Sequence, residues 1–371
     1  MNLNQFKLGA IAILGSLILL GCNRPSSPSI SWEKLEAGMI MPDNGLAGAL
    51  IGTSNNQLIV AGGANFPESM PWEGGAKKYH KALYIYDIDS GKIVPKRREQ
   101  LAIAKGYTAN AQFKKGFVCA GGENNTEVFP SVDYFYMKGD SLIRESLIDL
   151  PMPLTGGALV NIHDDLYYIG GHNKSLVSNK VWRLSANDTQ WTELVSLPKA
   201  ISFPVGLSWN DKILVAGGRA SKKNAVSEFY SEVYLLDPIS KELSLLESLP
   251  TRLAAGTGVV DSNGGIWVFG GDLGEVYNKT EELLLAIDLA EDEALKSQLI
   301  AQKDSLQMNH PGFDRNIYYF DGDSWSIKTA LPFDMPVTTT ALIQGDLIII
   351  PNGEIRAGVR THCFLLVNLK E

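Results

Sequence analysis

Sulfur and imidazole are scarce in this chain: three cysteines and five histidines among 371 residues. No Cys-x-x-Cys pair and no zinc-type spacing occurs, which argues against a structural or catalytic zinc site. Excess positive charge is missing as well. Lys and Arg number 33 against 41 Asp and Glu, a formal charge of -8, and that balance argues against nucleic acid or an anionic membrane surface as the main partner. The only basic run, Lys96-Arg97-Arg98, reads as a solvated strand edge. A serine elbow, a phosphate-binding glycine loop and a metal-ligand cluster are all absent from the sequence, so neither a nucleotide nor a transition-metal cofactor is expected.

The apolar run Leu8 to Leu20 is too short to cross a bilayer comfortably. Lys7 precedes it and Leu19-Leu20-Gly21-Cys22 follows. Charge, apolar stretch and small residue before cysteine resemble a bacterial lipoprotein signal, with Cys22 as the lipidated residue. The next stretch is rich in proline and serine, the composition of a flexible tether. The expected organisation is a signal peptide over 1–21, a tether over 22–29 and a folded unit over 30–371. Export to the cell envelope follows, with the membrane touched only through the lipid. Asn23, where an Asp would favour inner-membrane retention, points to the outer membrane.

What the sequence does have is a repeat. A short apolar run ends in Gly-Gly five times: QLIVAGG (57–63), GFVCAGG (116–122), DLYYIGG (165–171), KILVAGG (212–218) and GIWVFGG (265–271). A sixth copy, DLIIIPNGE (346–354), carries Asn352-Gly353 instead. A β-type segment precedes each run and another follows, for example ALYIYD (82–87) and IYYFD (317–321). Several units add a fourth, marked by tryptophan at Trp191 and Trp325, and then Leu-Pro. Four short strands per unit in six units predict an all-β, six-bladed propeller of the Kelch type. Cys119 and Cys363 fall inside apolar strands and read as small buried hydrophobes. The last unit stops one strand short, and ISWEKL (30–35) near the start matches the missing one. The N-terminal strand is therefore expected to complete the C-terminal blade and close the ring.

Turn lengths divide the two faces. Turns between the first and second strands and between the third and fourth are short, whereas 64–81, 219–231, 272–316 and 354–361 are long and share one face. Long loops on one side of a rigid scaffold usually carry function. The segment 272–316 shows near-helical spacing from Thr280 onward, through Leu284, Ile287, Leu295, Leu299 and Ile300. It is expected to lie over the channel mouth, with Tyr277, His310 and Arg315 as contacts; the alternatives are a homodimer contact or packing on a blade rim. The same face collects Asn65, Lys77, Lys78, Lys105, Glu123, His172, Arg219, Arg252, Asp272, Glu354, Arg356 and Arg360. Together they suit a small polar, anionic ligand.

Two chemistries known on propellers lack their residues here. A copper oxidase of the galactose-oxidase kind needs convergent His and Tyr pairs and a cysteine for the Tyr crosslink, and the five histidines show no such spacing. A sialidase usually carries repeated Asp boxes; the nearest string, Ser185 to Trp191, lacks their glycine.

The terminal unit PNGEIRAGVRTHCFLL (351–366) resembles the Gly-Glu-x-x-x-Gly-x-Arg-Thr segment of the bacterial N-acetylneuraminate epimerase (sialic acid mutarotase) family. The stretch 60–87 is similar to a glycine-rich loop of that family, and Tyr277–Tyr319 to its long insertion. The order differs: the Gly-Glu unit lies mid-chain in better-known members and last here, as in a circularly permuted branch. The resemblance implies an isomerase that interconverts sialic acid anomers without a cofactor. It implies Glu354 as the acid/base residue, with Arg360 of the same motif as its catalytic partner; of the polar groups collected on the long-loop face, Asn65, Lys77, Glu123, Arg219, Arg252, Asp272 and His310 are the expected substrate contacts. A non-catalytic Kelch module binding a glycan or protein, and a mutarotase for another acidic sugar, remain alternatives.

Overall fold

The computed structural model describes residues 29–36, 41, 44–89 and 91–370; the signal segment, Cys22 and most of the tether lie outside them. Six four-stranded antiparallel sheets form the blades of a propeller. The first blade runs Leu50–Ser54, Gln57–Ala61, Ala82–Asp89 and Lys92–Gln100 from inside outward. The sixth takes Leu342–Gln344, Leu347–Arg356 and Val359–Lys370 from the C-terminal end and its outer strand, Ser29–Glu36, from the N-terminal end. That strand pairs in register from Ser29 opposite Lys370 to Glu36 opposite Cys363, so the ring closes as expected. Leu35 packs on the same core as Leu347, Ile349 and Phe364.

The Gly-Gly pairs have a steric reason. In five blades both glycines have positive φ, such as 64° and 78° at Gly62 and Gly63. A Cβ on Gly62 would sit 2.2 Å from the Lys105 carbonyl oxygen, and the Gly63 N–H donates to that oxygen at 2.8 Å. The pair thus lets the next blade's backbone come close enough to be tied. In the sixth blade Asn352 takes the left-handed conformation (φ 45°), which Asn tolerates better than most residues.

A second ring tie lies just above. The residue entering each inner strand is Gly48, Tyr107, Gly156, Phe203, Ala255 or Thr338, and all six have φ between 51° and 65°. Each donates its N–H to the carbonyl of its counterpart in the preceding blade, and Gly48 N–H to Thr338 oxygen closes the circle. Four of these are not glycine, and a left-handed L-residue costs about 1–2 kcal/mol. The closed hydrogen-bond ring offsets that strain and makes a stiff floor.

Outer strands are pinned to the preceding blade. Trp191 Nε1 donates to Ile148 oxygen at 2.9 Å and Trp325 Nε1 to Glu247 oxygen at 3.0 Å. Trp32 occupies the same place but meets Phe333 edge-on, at 5.2 Å between rings. Cys119 and Cys363 are buried, and the outer strand holding Lys96-Arg97-Arg98 is largely exposed.

The insertion folds as two helices, not one run beginning near Thr280. Helix α1 spans Glu275–Leu289 and helix α2 Glu293–Met308. Gly274, with φ 83°, precedes α1, and Asp272 accepts its N–H at 2.8 Å. Asp292 caps α2 by accepting the Leu295 N–H at 2.7 Å. Helix α1 rests on Ala225–Phe229, one strand of the two-stranded hairpin between the second and third strands of the fourth blade, where Glu281 accepts from the Ser227 N–H (2.6 Å) and hydroxyl (2.9 Å). Helix α2 meets the turn Pro71–Glu73. Among the described residues no helix is long and apolar enough to cross a membrane.

Candidate functional site

The residue that follows each glycine pair occupies one repeated slot: Ala64, Glu123, His172, Arg219, Asp272 and Glu354. In every blade its backbone is bridged to the residue just before the hydrogen-bonded ring, as Glu354 is to Val337 and Asp272 to Ala254. Five blades thus place a polar or charged side chain around one stiff floor. All five line a cavity of about 530 Å³. Tyr107, Phe203, Ala255 and Thr338 of the ring form its base; Tyr277, Leu284, Gln307, His310 and Phe313 of the insertion cover it.

Glu354 and Arg360 are cross-strand partners in the sixth-blade hairpin. Glu354 Oε1 accepts the Gly358 N–H at 2.8 Å and lies 3.5 Å from Arg360 Nη1. The Arg360 guanidinium sits 4.7 Å from the Phe66 ring centroid, and its side chain is only 3% exposed. Its Nε and Nη1 are buried with no hydrogen-bond partner. Burial disfavours the charge, but Glu354 and a hydrogen bond with Tyr107 outweigh it and hold the pKa above the ordinary arginine value. A permanently charged fork in the wall of a cavity, with Nε and Nη1 unpaired, can receive a carboxylate.

The other walls are equally defined. The Arg219 guanidinium carbon sits over the Tyr277 ring, 3.8 Å from its centroid, and 5.2 Å from that of Phe203. Lys77 Nζ lies 5.1 Å from the Tyr107 ring centroid. Tyr79 donates to Glu123 at 2.5 Å; burial, then this carboxylate, pushes the phenol pKa far up. His310 Nδ1 accepts the Gly312 N–H at 3.0 Å, so the neutral ring carries its proton on Nε2. Burial lowers the pKa of both His310 and His172, against the pull of Glu354 on the first and Glu123 on the second. Burial raises that of Asp272, partly offset by the Gly274 N–H and Arg219. Among the described residues no group of three or more His, Cys, Asp or Glu could hold a metal ion.

Of the residues expected to touch substrate, Lys77, Glu123, Arg219, Asp272, His310, Glu354 and Arg360 line the cavity, together with His172 and Tyr277. Asn65 does not. Its amide nitrogen donates to Asn44 and to the Gly45 carbonyl at 2.9 Å each, and its oxygen meets His80 Nε2 at 2.7 Å. Ala64 holds that blade's slot, and strand alternation turns Asn65 away. Arg252 does not line the cavity either; it is exposed and donates to the Leu273 carbonyl at 3.1 Å. Lys105 is buried between blades on Ser131 and Asp133. Arg315 and Arg356 both bond Asp334, at 2.7 and 2.9 Å, outside the cavity. Tyr107 and Phe203 were not anticipated, because a left-handed slot reads as glycine. The usable signal was positional: they stand where other repeats carry Gly48 and Gly156.

Known proteins resemble this chain in sequence and in fold. The family model described as N-acetylneuraminate epimerase matches residues 147–371. N-acetylneuraminate epimerase of Salmonella typhi is 25% identical over 223 residues, covering 58% of this chain and 56% of that protein. The enzyme of the same name from Haemophilus influenzae strain PittEE is 23% identical over 218 residues, covering 57% and 56%. The match thus spans little more than half the length of these curated relatives. A solved structure described as "Structure of YjhT" superposes with a TM-score of 0.62 at 14% identity, covering 90% of this chain and all of that one, a likeness of fold. With a family model matching well over half of its residues, this six-bladed propeller belongs to the N-acetylneuraminate epimerase family.

Proposed function

We propose that this chain is a mutarotase that interconverts the α and β anomers of N-acetylneuraminic acid. The observation that carries the reading is the Glu354–Arg360 pair: a carboxylate beside a buried guanidinium with two unspent N–H donors, under a helical cover. Glu354 takes the proton of the anomeric hydroxyl. The bond from anomeric carbon to ring oxygen breaks as the ketone forms, and the ring oxygen gains a proton. Rotation exposes the other face of the carbonyl, and the same steps in reverse close the ring. Arg360 holds the sugar carboxylate next to the reacting carbon, and the Nε2–H of His310 offers a further hydrogen bond.

The names of the relatives support the sugar class, and the net negative charge of the chain leaves selection to local cations such as Arg219 and Arg360. The test is anomer exchange followed by NMR on freshly released α-anomer; no acceleration over the buffer rate overturns the reading. Placement in the cell envelope through lipid on Cys22 is a second proposal, supported by the order of residues 1–22. A Cys22→Ala variant is expected to leave the membrane fraction or stay unprocessed, and unchanged membrane association contradicts it.

A further inference from the structure

Ring opening needs two proton movements on neighbouring oxygens of one carbon, so one base is half of the machinery. A second group must stand beside it, holding a proton. We propose that Asp272 is that group: the acid that protonates the ring oxygen while Glu354 deprotonates the anomeric hydroxyl. The inference rests on the mutarotase reading.

Three observations carry it. First, Asp272 and Glu354 fill the same repeated slot in adjacent blades, five and six. Their backbones flank the ring residues Ala255 and Thr338, which are hydrogen-bonded to one another at 2.9 Å. The hydroxyl and ring oxygens to be served are likewise adjacent, both bound to one carbon, so neighbouring slots suit them. Second, the two carboxyls have opposite surroundings. Glu354 accepts the Gly358 N–H and faces the Arg360 guanidinium at 3.5 Å. Among the described residues, Asp272 has no cation within 4.0 Å. Third, the Gly274 N–H occupies only Oδ1, leaving Oδ2 for the sugar. The groups facing Asp272 are Arg219 from the fourth blade, Glu354 from the sixth and Tyr277 from α1. Burial is the largest influence on its carboxyl and favours the protonated form, with Glu354 adding to it and Arg219 opposing. A carboxyl that burial keeps toward the protonated form, in the slot next to one that faces a guanidinium, can divide acid and base roles with it.

The protons balance. On opening, Asp272 gives its proton to the ring oxygen and Glu354 receives one from the anomeric hydroxyl. On closing, the freed hydroxyl attacks the ketone, returns its proton to Asp272, and the new anomeric oxygen takes one from Glu354. Both groups end as they began, with no co-reactant.

The experiment compares wild type with Asp272→Asn and Asp272→Glu, using N-acetylneuraminic acid and exchange NMR across pH, with thermal melting as a control for folding. Asp272→Asn, which keeps size and hydrogen bonding but has no acidic proton, is expected to lose roughly 10²–10³-fold in kcat, with KM changing less. The fall in wild-type rate at rising pH is expected to vanish in that variant, and Asp272→Glu to regain part of the rate. Infrared difference spectra are expected to show a protonated carboxyl in wild type that Asp272→Asn lacks. A folded Asp272→Asn with near-wild-type kcat overturns the assignment, as does a wild type without that protonated carboxyl. If wild type does not speed anomer exchange at all, the mutarotase reading falls with it, whereas the infrared result still decides the state of Asp272.

Discussion

Glu354 and Arg360 are six residues apart in the chain yet directly opposed across one bulged hairpin, with the Gly358 N–H bonded back to Glu354 at 2.8 Å. The hairpin fixes their separation before any ligand arrives. Such preorganisation is what the catalytic role proposed for the pair requires.

Ring closure depends on the N-terminal strand. Removing residues 29–36 unpairs one side of the strand from Cys363 to Lys370 and uncovers the core beside Leu35 and Phe364. A loss of several kcal/mol, about 3 or more, is expected from the apolar area and edge exposed. Thermal melting measures it. A truncated chain that melts like the intact one shows that the sixth blade stands without its outer strand.

The cover is anchored at one point that can be cut. Glu281→Ala removes both bonds to Ser227, interactions of a charged acceptor worth about 1.5–3 kcal/mol. Amide hydrogen exchange in Glu275–Met308 is expected to quicken and the sugar concentration for half-maximal rate to rise several-fold. The blades, which do not use this contact, should keep their protection. Unchanged exchange in the helices means that α1 is held by its apolar contacts alone.

Stability against pH has a defined sign. His172 and His310 have pKa values lowered by burial, so below the ordinary histidine value of about 6.5 the unfolded chain binds protons that the folded one refuses. Above that value they contribute no pH dependence; stability falls as pH drops through it. Asp272 acts oppositely. Its raised pKa means that the folded chain holds a proton longer, so its contribution grows as pH falls through the folded value toward the ordinary carboxylate range. His310→Gln should flatten urea-unfolding stability on the acid side of about 6.5. Asp272→Asn should raise stability at neutral pH. A steeper acid loss in His310→Gln contradicts the assignment.

Much of this was legible from the chain. The six Gly-Gly-like runs announce the blades because only a left-handed pair lets the next blade's carbonyl approach, and Asn352 is the one other residue used there. The slot after each pair is legible by position, with a polar or charged residue in five blades and Ala64 in the first. Asn65 misled because it stands one residue beyond that slot, and one residue along a strand reverses the side chain. Arg252 misled because its link lies on the correct face but its side chain runs along the surface to Leu273. Tyr107 and Phe203 were hidden because nothing local predicts a bulky residue at positive φ; the circle of six hydrogen bonds that permits it exists only in the closed ring. The start of α1 was hidden too, since Gly274 caps it with a left-handed turn and no side-chain cap.

The most direct test of the central claim is NMR-monitored exchange of freshly released α-anomeric N-acetylneuraminic acid with wild type and Glu354→Gln side by side. The account predicts rapid equilibration by wild type, a rate roughly 10²–10⁴-fold lower in Glu354→Gln, and retained sugar binding in a variant that melts like wild type. Equilibration by Glu354→Gln at close to the wild-type rate contradicts it.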